Sequence, residues 1–162
     1  MTMRLDLAQI VTAADRAFAG RVVAVHSGRD TAGTPATWVT FAVDTPLKGR
    51  LGNEITIKQI GASEPLSDGT TLRLPGVPSY KIGDELVLFL AGDSEAGFTS
   101  PIGLEQGKYP IVRRGGSSWV IPTAENAGAL SAPRYDAHAL PAALPLDDFL
   151  AVVTHLVAEA KR

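Results

Sequence analysis

The residue types of a hydrolytic triad occur together once in the first part of the chain. His26, Ser27 and Asp30 fall close together, with Gly28 and Arg29 between them. A serine hydrolase needs an imidazole, a hydroxyl and a carboxylate that converge in space, and residues within one turn do not converge in this way. We therefore interpret this stretch as a polar loop and predict no catalytic residue in it.

The usual signatures of other enzyme and cofactor chemistries are also missing. The chain has no cysteine, which excludes a cysteine nucleophile, a disulfide scaffold and a cysteine-ligated metal. It contains no nucleophile-elbow, phosphate-loop or dinucleotide-binding motif. The three histidines, His26, His138 and His155, lie far apart and lack the i, i+4 spacing of helical zinc ligands. We predict a protein without catalytic residues, cofactor or metal, and keep as the alternative a hydrolase whose histidine and carboxylate meet only in the fold.

Two polar segments combine an aromatic ring with a cation. Segment 75–81 has prolines that preset its backbone and ends in Tyr80 and Lys81, and segment 106–109 contains Gln106, Lys108 and Tyr109. Such a pairing suits an acidic or carbonyl-rich partner chain, and a preset loop loses little entropy on binding. We predict the binding surface on these five residues. The alternative is that both tyrosines simply plug the ends of the fold.

The larger aromatic residues offer a second kind of surface. Trp38, Tyr80, Tyr109 and Trp119 would suit stacking against nucleic-acid bases or sugar rings if the fold brought them together. Fifteen Lys and Arg against seventeen Asp and Glu give a net charge of −2, whereas a protein that binds a phosphate backbone is usually basic. Nucleic acid is therefore not an expected partner, and an oligosaccharide is kept as an alternative ligand.

An apolar stripe at helical spacing opens the chain, and strand patterns follow it. The stripe comprises Leu7, Ile10, Val11, Ala14 and Phe18. Alternating or β-branched apolar residues predict strands at 17–25, 38–44, 55–60, 70–74, 84–91, 108–113 and 118–121. The strand at 84–91 is apolar on both faces and is expected to be the most buried.

Glycine and proline mark the boundaries of these elements. Gly20 indicates a bend or bulge in the first strand, Pro46 ends the second, and the pair 115–116 favours a hairpin turn. Segment 122–145 is rich in alanine and proline, which indicates a surface excursion. A closing helix is predicted over 146–162, because apolar residues recur at helical spacing after two acidic residues that favour its N-terminus.

Length and composition favour one domain over the whole chain, 1–162. The 162 residues are 45% hydrophobic and 20% charged, which suffices for a proper core in a domain of roughly 150 residues. Hairpin spacing predicts a mainly β fold, a small antiparallel OB-fold-like barrel of about five or six strands, with the N-terminal and C-terminal helices packed outside. The first helix and the barrel would occupy 1–121.

The sequence leaves the compartment open. Its longest apolar run, at 86–91, is far shorter than a membrane span requires. The first residues lack the apolar core of an export signal. We therefore expect either a cytoplasmic protein or an exported one whose signal has been removed.

Five strings resemble a known group of domains. They are ADRAFAGRV at 14–22, TFAV at 40–43, LKG at 47–49, GVPSYKIGDELVLFL at 76–90 and GLEQGKY at 103–109. Their order is similar to that of netrin-like modules and tissue inhibitors of metalloproteinases, and more similar still to uncharacterised bacterial domains that are commonly exported. The resemblance covers about 5–120 and implies an OB-fold-like barrel and an extracytoplasmic location.

One departure from that group bears on function. The inhibitors chelate the protease zinc through an N-terminal cysteine, and this chain has no cysteine, so that mechanism does not carry over. We expect a non-enzymatic binding or protein-interaction module, exported, whose partner is another protein or a cell-surface polymer. The alternatives are the hydrolase and the oligosaccharide-binding module described above.

Overall fold

A computed structural model of the chain describes residues 5–62, 64–122 and 143–161. Two helices lie near the ends, and a short 3₁₀ turn precedes the fifth strand. In chain order the elements are α1 Leu7–Ala13, β1 Arg16–Arg29, β2 Pro35–Lys48, β3 Glu54–Ile60, β4 Glu85–Leu90, the 3₁₀ turn Leu104–Gly107, β5 Lys108–Arg114, β6 Ser117–Val120, β7 Leu144–Pro145 and α2 Leu146–Ala160.

The strands form one antiparallel sheet in the order β3-β2-β1-β4-β5-β6-β7. The expectation of a mainly β fold with a helix near each end is confirmed. The described strands number seven rather than five or six. The additional strand is the two-residue β7, which pairs with Trp119 and Val120 of β6 and lies in the predicted excursion 122–145. The rest of that excursion, from 123 to 142, lies outside the described residues.

Strand β1 lies between β2 and β4 in this sheet and is longer than predicted. It pairs with β2 along one side and, over Arg16–Arg21 alone, with β4 along the other. It continues to Arg29, so the stretch around Ser27 that was predicted to be a turn is part of a strand. The prediction was wrong here because Ser27 and Gly28 are typical of turns. In the structure both residues pair with β2, which stabilises their extended conformation.

Two apolar cores lie on opposite faces of the sheet. In the helix-side core, α1 and α2 cover residues such as Val87 and Phe89 of β4. The inner core contains Leu86, Leu88 and Leu90 of the same strand, together with side chains of β1, β2 and β3. Successive residues of a strand point to opposite faces, so β4 belongs to both cores. The prediction that this strand is apolar and buried on both faces is confirmed.

Three boundaries differ from the predictions. Helix α1 ends at Ala13, and Phe18, which was predicted in the same helical stripe, lies in β1. The prediction was wrong here because an apolar residue of the strand continued the helical spacing by chance. Pro46 lies inside β2 rather than ending it, at a place where the register with β1 shifts and a missing N–H is tolerated. Segment 70–74 contributes a single bridge, between Leu72 and Ala62, and no strand.

Two glycine predictions are confirmed. The register between β1 and β2 shifts between Ala19 and Gly20, which is the predicted irregularity. Gly115 and Gly116 join β5 to β6, and their φ angles of 59° and 79° are the left-handed values that a tight hairpin turn requires.

Gly20 lies close to the backbone of β2 and gives a test of the sheet. A Cβ atom added there would lie 2.3 Å from the backbone oxygen of Ala42, so one strand would have to move. We expect Gly20→Ala to lower the free energy of unfolding by about 1–3 kcal/mol. The matched control is Gly52→Ala, because no atom lies closer than 3.8 Å to its added Cβ. Equal melting temperatures for the two variants would contradict this register.

Candidate binding surface

Tyr80, the first residue of the predicted binding surface, is buried in the inner core. It is 8% exposed, and its ring stands edge-on to Phe41 at 5.5 Å between centroids. The Nζ of Lys108 lies 4.9 Å from the Tyr80 ring centroid and donates to the carbonyl oxygen of Ser79 at 2.8 Å. Segment 75–81 and Lys108 therefore lie in contact, and the Tyr80 ring of this contact packs inward.

Tyr109 and Gln106 are buried in a different part of the molecule. Tyr109 is fully buried in the helix-side core, 4.9 Å from the ring of Phe149. It faces away from Lys108 because neighbours in a strand point to opposite faces. Gln106 is 4% exposed, and its side-chain oxygen accepts a hydrogen bond from the Leu5 amide at 2.8 Å. Both side chains thus pack inside the fold.

Lys81 is the exposed member of the five predicted residues. Its amide donates to a side-chain oxygen of Asp84 at 2.9 Å, which closes the turn at 81–84 before β4. An open groove of about 390 Å³ lies beside this turn and is lined by Gly83, Asp84, Glu85, Leu86, Lys108, Pro110 and Ile111. It marks the place where β5 separates from β4, because their ladder ends at Leu86 and Pro110.

The hydroxyl groups of both tyrosines lack a hydrogen-bond partner within the part of the chain that the structure describes. Burial, with a smaller contribution from Glu105, raises the pKa of Tyr80 above its ordinary value of 10.0. Burial also raises the pKa of Tyr109, with a smaller contribution from Asp6. Both rings are therefore held neutral inside the fold.

The two described histidines make separate contacts. The His26 ring packs against Trp38 at 6.0 Å between centroids, while the Ser27 hydroxyl contacts that of Thr37 at 3.1 Å. His155 pairs with Glu159 on an exposed helix face, at 2.9 Å, and His138 lies outside the described residues. Over 5–62, 64–122 and 143–161, no group of three or more potential metal ligands occurs, and no helix is long and apolar enough to cross a membrane.

Part of β1 forms an edge that no strand pairs within the described part of the chain. Strand β1 has 14 residues and β4 has 6, so their ladder stops at Arg21. One further contact follows, in which the Gly83 amide donates to the Val22 carbonyl at 2.9 Å. Beyond it, no segment among the described residues pairs with the side of β1 that faces away from β2. We call the stretch 23–29 the β1 edge.

The direction of the backbone groups on the β1 edge follows from the bonds of β2. The Val43 amide donates to the Asn53 carbonyl, and the Pro35 carbonyl accepts from Gly61, so alternate residues of β2 from 35 to 43 face β3. A residue that faces one neighbouring strand does not face the other. Their partners on β1 therefore point N–H and C=O groups away from β2. These partners are Val25, Ser27 and Arg29.

The far end of the β1 edge is fixed by side chains. Arg29 donates to the Gly33 carbonyl at 2.8 Å and to Asp68 at 2.7 Å. Asp30 accepts the Lys58 ammonium at 2.9 Å and the amides of the β1–β2 turn. The hydrogen bond from Lys58, with smaller contributions from those amides, lowers the pKa of Asp30. The hairpin that carries the β1 edge is therefore held in place before any partner binds.

Sequence reasoning missed the β1 edge because its cause is a difference between strand lengths. Val22, Val23 and Val25 indicated a strand, but nothing in them shows where the neighbouring strand β4 begins. A usable signal is the glycine at 83, because glycine often marks a turn, and its φ of 96° is left-handed. Comparison of the chain with descriptions of known protein families, with curated proteins and with solved structures finds no match, so the argument for function rests on this geometry.

Alkaline unfolding tests the burial of the two tyrosines. Tyrosines in the unfolded chain ionise near pH 10, whereas the two buried tyrosines of the folded chain keep their protons. Below pH 10 this difference costs the folded state nothing. Above pH 10 ionisation favours the unfolded chain, so the free energy of unfolding falls as the pH rises. We expect the free energy of unfolding to drop less between about pH 8 and about pH 11 in the variant Tyr80→Phe/Tyr109→Phe. Urea unfolding at both pH values measures this, and an equal drop in the two proteins would contradict burial of the hydroxyls.

Proposed function

We propose that the protein is a non-enzymatic protein-interaction module that binds an extended segment of a partner along the β1 edge. The observation that carries this proposal is the set of outward N–H and C=O groups on Val25, Ser27 and Arg29, which no described strand pairs. An exposed edge of this kind accepts an added strand through main-chain hydrogen bonds. Natural proteins usually shield long edges, since an unshielded one invites pairing.

The rigidity of the hairpin supports this function. Binding loses affinity when a surface must first be ordered, and the β1 edge is already fixed by Arg29 and Asp30 at one end and by the Gly83 contact at the other. Val25 adds an apolar side chain, 36% exposed, that a partner strand would cover. The backbone groups of the edge would thus orient a partner strand, and Val25 would add an apolar contact.

We also propose that β1 to β4 close into a partly open, OB-like barrel through segment 98–102, as the resemblance to netrin-like and inhibitor domains implies. A parallel bridge joins Phe98 to Lys58 of β3, and an antiparallel bridge joins Pro101 to Leu90 of β4. The Thr99 amide donates to the Lys58 carbonyl at 2.9 Å. Segment 98–102 thus contacts both β3 and β4, which are not neighbours in the sheet, and these contacts support closure between the two strands. An exported location for the module follows from the same resemblance.

A second candidate function is oligosaccharide binding, favoured by the aromatic pair on the face beside the β1 edge. His26 is exposed, Trp38 is half-buried, and their rings are tilted by 32° at 6.0 Å. Thr40 lies two residues after Trp38 in β2 and pairs with Thr56 of β3. The hydroxyl groups of these two threonines contact each other at 2.8 Å. An aromatic ring with adjacent hydroxyl groups suits a sugar face and its polar rim.

Peptide selection with a proline variant tests the protein-interaction function. Peptides are selected from a random library on the wild-type protein. Their affinity for Ser27→Pro should be lower by about tenfold or more, because proline removes an outward N–H. The matched control is Thr56→Pro. By the same alternation Thr56 points its N–H outward from the opposite edge, and each substitution removes one hydroxyl contact across the sheet. We expect both variants to melt at similar temperatures.

Selected peptides that bind both proline variants equally would contradict an added strand on β1. A selection that yields no peptide, together with glycan-array binding that Trp38→Ala abolishes, would favour the oligosaccharide function instead. Isothermal titration of the selected peptide against each variant separates a weaker affinity from a smaller folded fraction.

A further inference from the structure

A glycine interrupts the side chains of the β1 edge on one face of the sheet. Alternate residues of a strand share a face, so His26 and Gly28 lie on the face that carries their partners in β2, which are Trp38 and Ala36. A Cβ atom added to Gly28 would lie 3.5 Å from the Trp38 ring and 3.6 Å from the His26 ring. Both rings therefore border the space that a side chain at 28 would fill.

This space between Gly28 and the rings of His26 and Trp38, which we call the Gly28 niche, is open. Among the described residues, apart from the chain neighbours of Gly28, no atom other than those of the two rings lies within 4 Å of the added Cβ. His26 is exposed, Trp38 is half-buried, and their ring centroids are 6.0 Å apart. The niche therefore has two aromatic walls and a floor of glycine backbone.

A strand added to the β1 edge would place one of its side chains beside the Gly28 niche. Gly28 points its N–H and C=O groups toward β2, because Ser27 and Arg29 point theirs outward. Antiparallel pairing is the more stable arrangement per residue. In such a pairing the partner residue opposite Gly28 makes no hydrogen bond with it, so the two Cα atoms are about 4.5 Å apart and the side chains lie closest. Because Gly28 has no side chain, this position has room for a bulky one.

The walls of the Gly28 niche favour an aromatic side chain. Aromatic rings in edge-to-face or offset contact stabilise a structure beyond the area that they bury, and aromatic pairs across neighbouring strands stabilise sheets. A ring opposite a glycine also covers the backbone that the glycine leaves exposed. Arg29 is already bonded to Asp68, at 2.7 Å, so this arginine requires no charge on the partner.

We propose that the β1 edge takes an antiparallel, extended segment of a partner protein that carries a phenylalanine, tyrosine or tryptophan opposite Gly28. The aromatic ring lies in the Gly28 niche against His26 and Trp38, while the backbone of the segment bonds to the outward groups of the edge. This inference rests on the proposed function, since it names the partner of the same edge. A second copy of the chain fits less well, because 23–29 contains no Phe, Tyr or Trp.

Two uncharged peptides test this inference. Each has about nine residues, enough to span 23–29 with one residue to spare at each end, and consists of threonine and serine around one central residue. That residue is phenylalanine in one peptide and leucine in the other. Because leucine is also large and apolar, the comparison isolates the effect of the ring. Fluorescence anisotropy should show that the phenylalanine peptide binds about two- to tenfold more tightly.

Variants of the full chain locate the ring. Trp38→Leu should remove the preference for phenylalanine, and Gly28→Ala should reduce it, because the added methyl group enters the Gly28 niche. Gly28→Ala should keep the fold, since 3.5 and 3.6 Å are ordinary contact distances. The matched control is Thr40→Val, two residues from Trp38 on the same face of β2, which should leave the preference unchanged. In NMR spectra of the complex, the phenyl protons should contact the α protons of Gly28.

The outcomes separate this inference from the function on which it rests. Equal binding of the two peptides, both weakened by Ser27→Pro, would overturn the aromatic partner while the edge function stands. A preference for phenylalanine that survives in folded Trp38→Leu and Gly28→Ala, or failure of both peptides to bind, would overturn the aromatic partner as well. Binding that Ser27→Pro leaves unchanged would overturn both proposals. Concentration-dependent dimers in sedimentation, lost in Ser27→Pro, would identify a second copy as the occupant and overturn the aromatic partner.

Discussion

The pairing of one long strand with one short strand determines most of this molecule. Strand β1 is paired with β2 from Ala17 to Arg29 apart from a register shift near Val23, but with β4 only as far as Arg21. Because β4 contributes alternate residues to both apolar cores, it fixes the first half of β1 at the centre of the fold. The second half extends past β4 as a hairpin edge. The fold's stability and its candidate binding surface thus come from the two halves of the same strand.

The start of β4 is itself determined by local chemistry. Gly83 adopts a left-handed φ of 96°, which a side chain would oppose, and Asp84 accepts the Lys81 amide to close the turn. Lys108 then holds Ser79, while Tyr80 enters the inner core. Several residues that sequence reasoning selected for binding therefore fix the segment that precedes β4.

Sequence reasoning reached the fold class because its signals are local. The period of Leu7, Ile10 and Val11 indicates a helix, the apolar run of β4 indicates a doubly buried strand, and the Gly115–Gly116 pair indicates a hairpin. It could not place Tyr80 and Tyr109, since an amphipathic ring beside a lysine fits a core and a surface equally well. It could not find the β1 edge either, because an edge depends on which strands end first across the sheet. Pro46 misled it, since proline ends a strand except where the register is irregular.

Amide hydrogen exchange at single-residue resolution tests the free edge most directly. The account predicts fast exchange for the amides of Val25, Ser27 and Arg29, and slow exchange for His26 and Gly28, which face β2 by the alternation of the ladder. The Val22 amide, which donates to the Asp84 carbonyl at 2.9 Å, should exchange slowly and is the internal reference. Slow exchange at Val25, Ser27 and Arg29 in the free protein would show that another group already pairs with this edge, and would contradict the account.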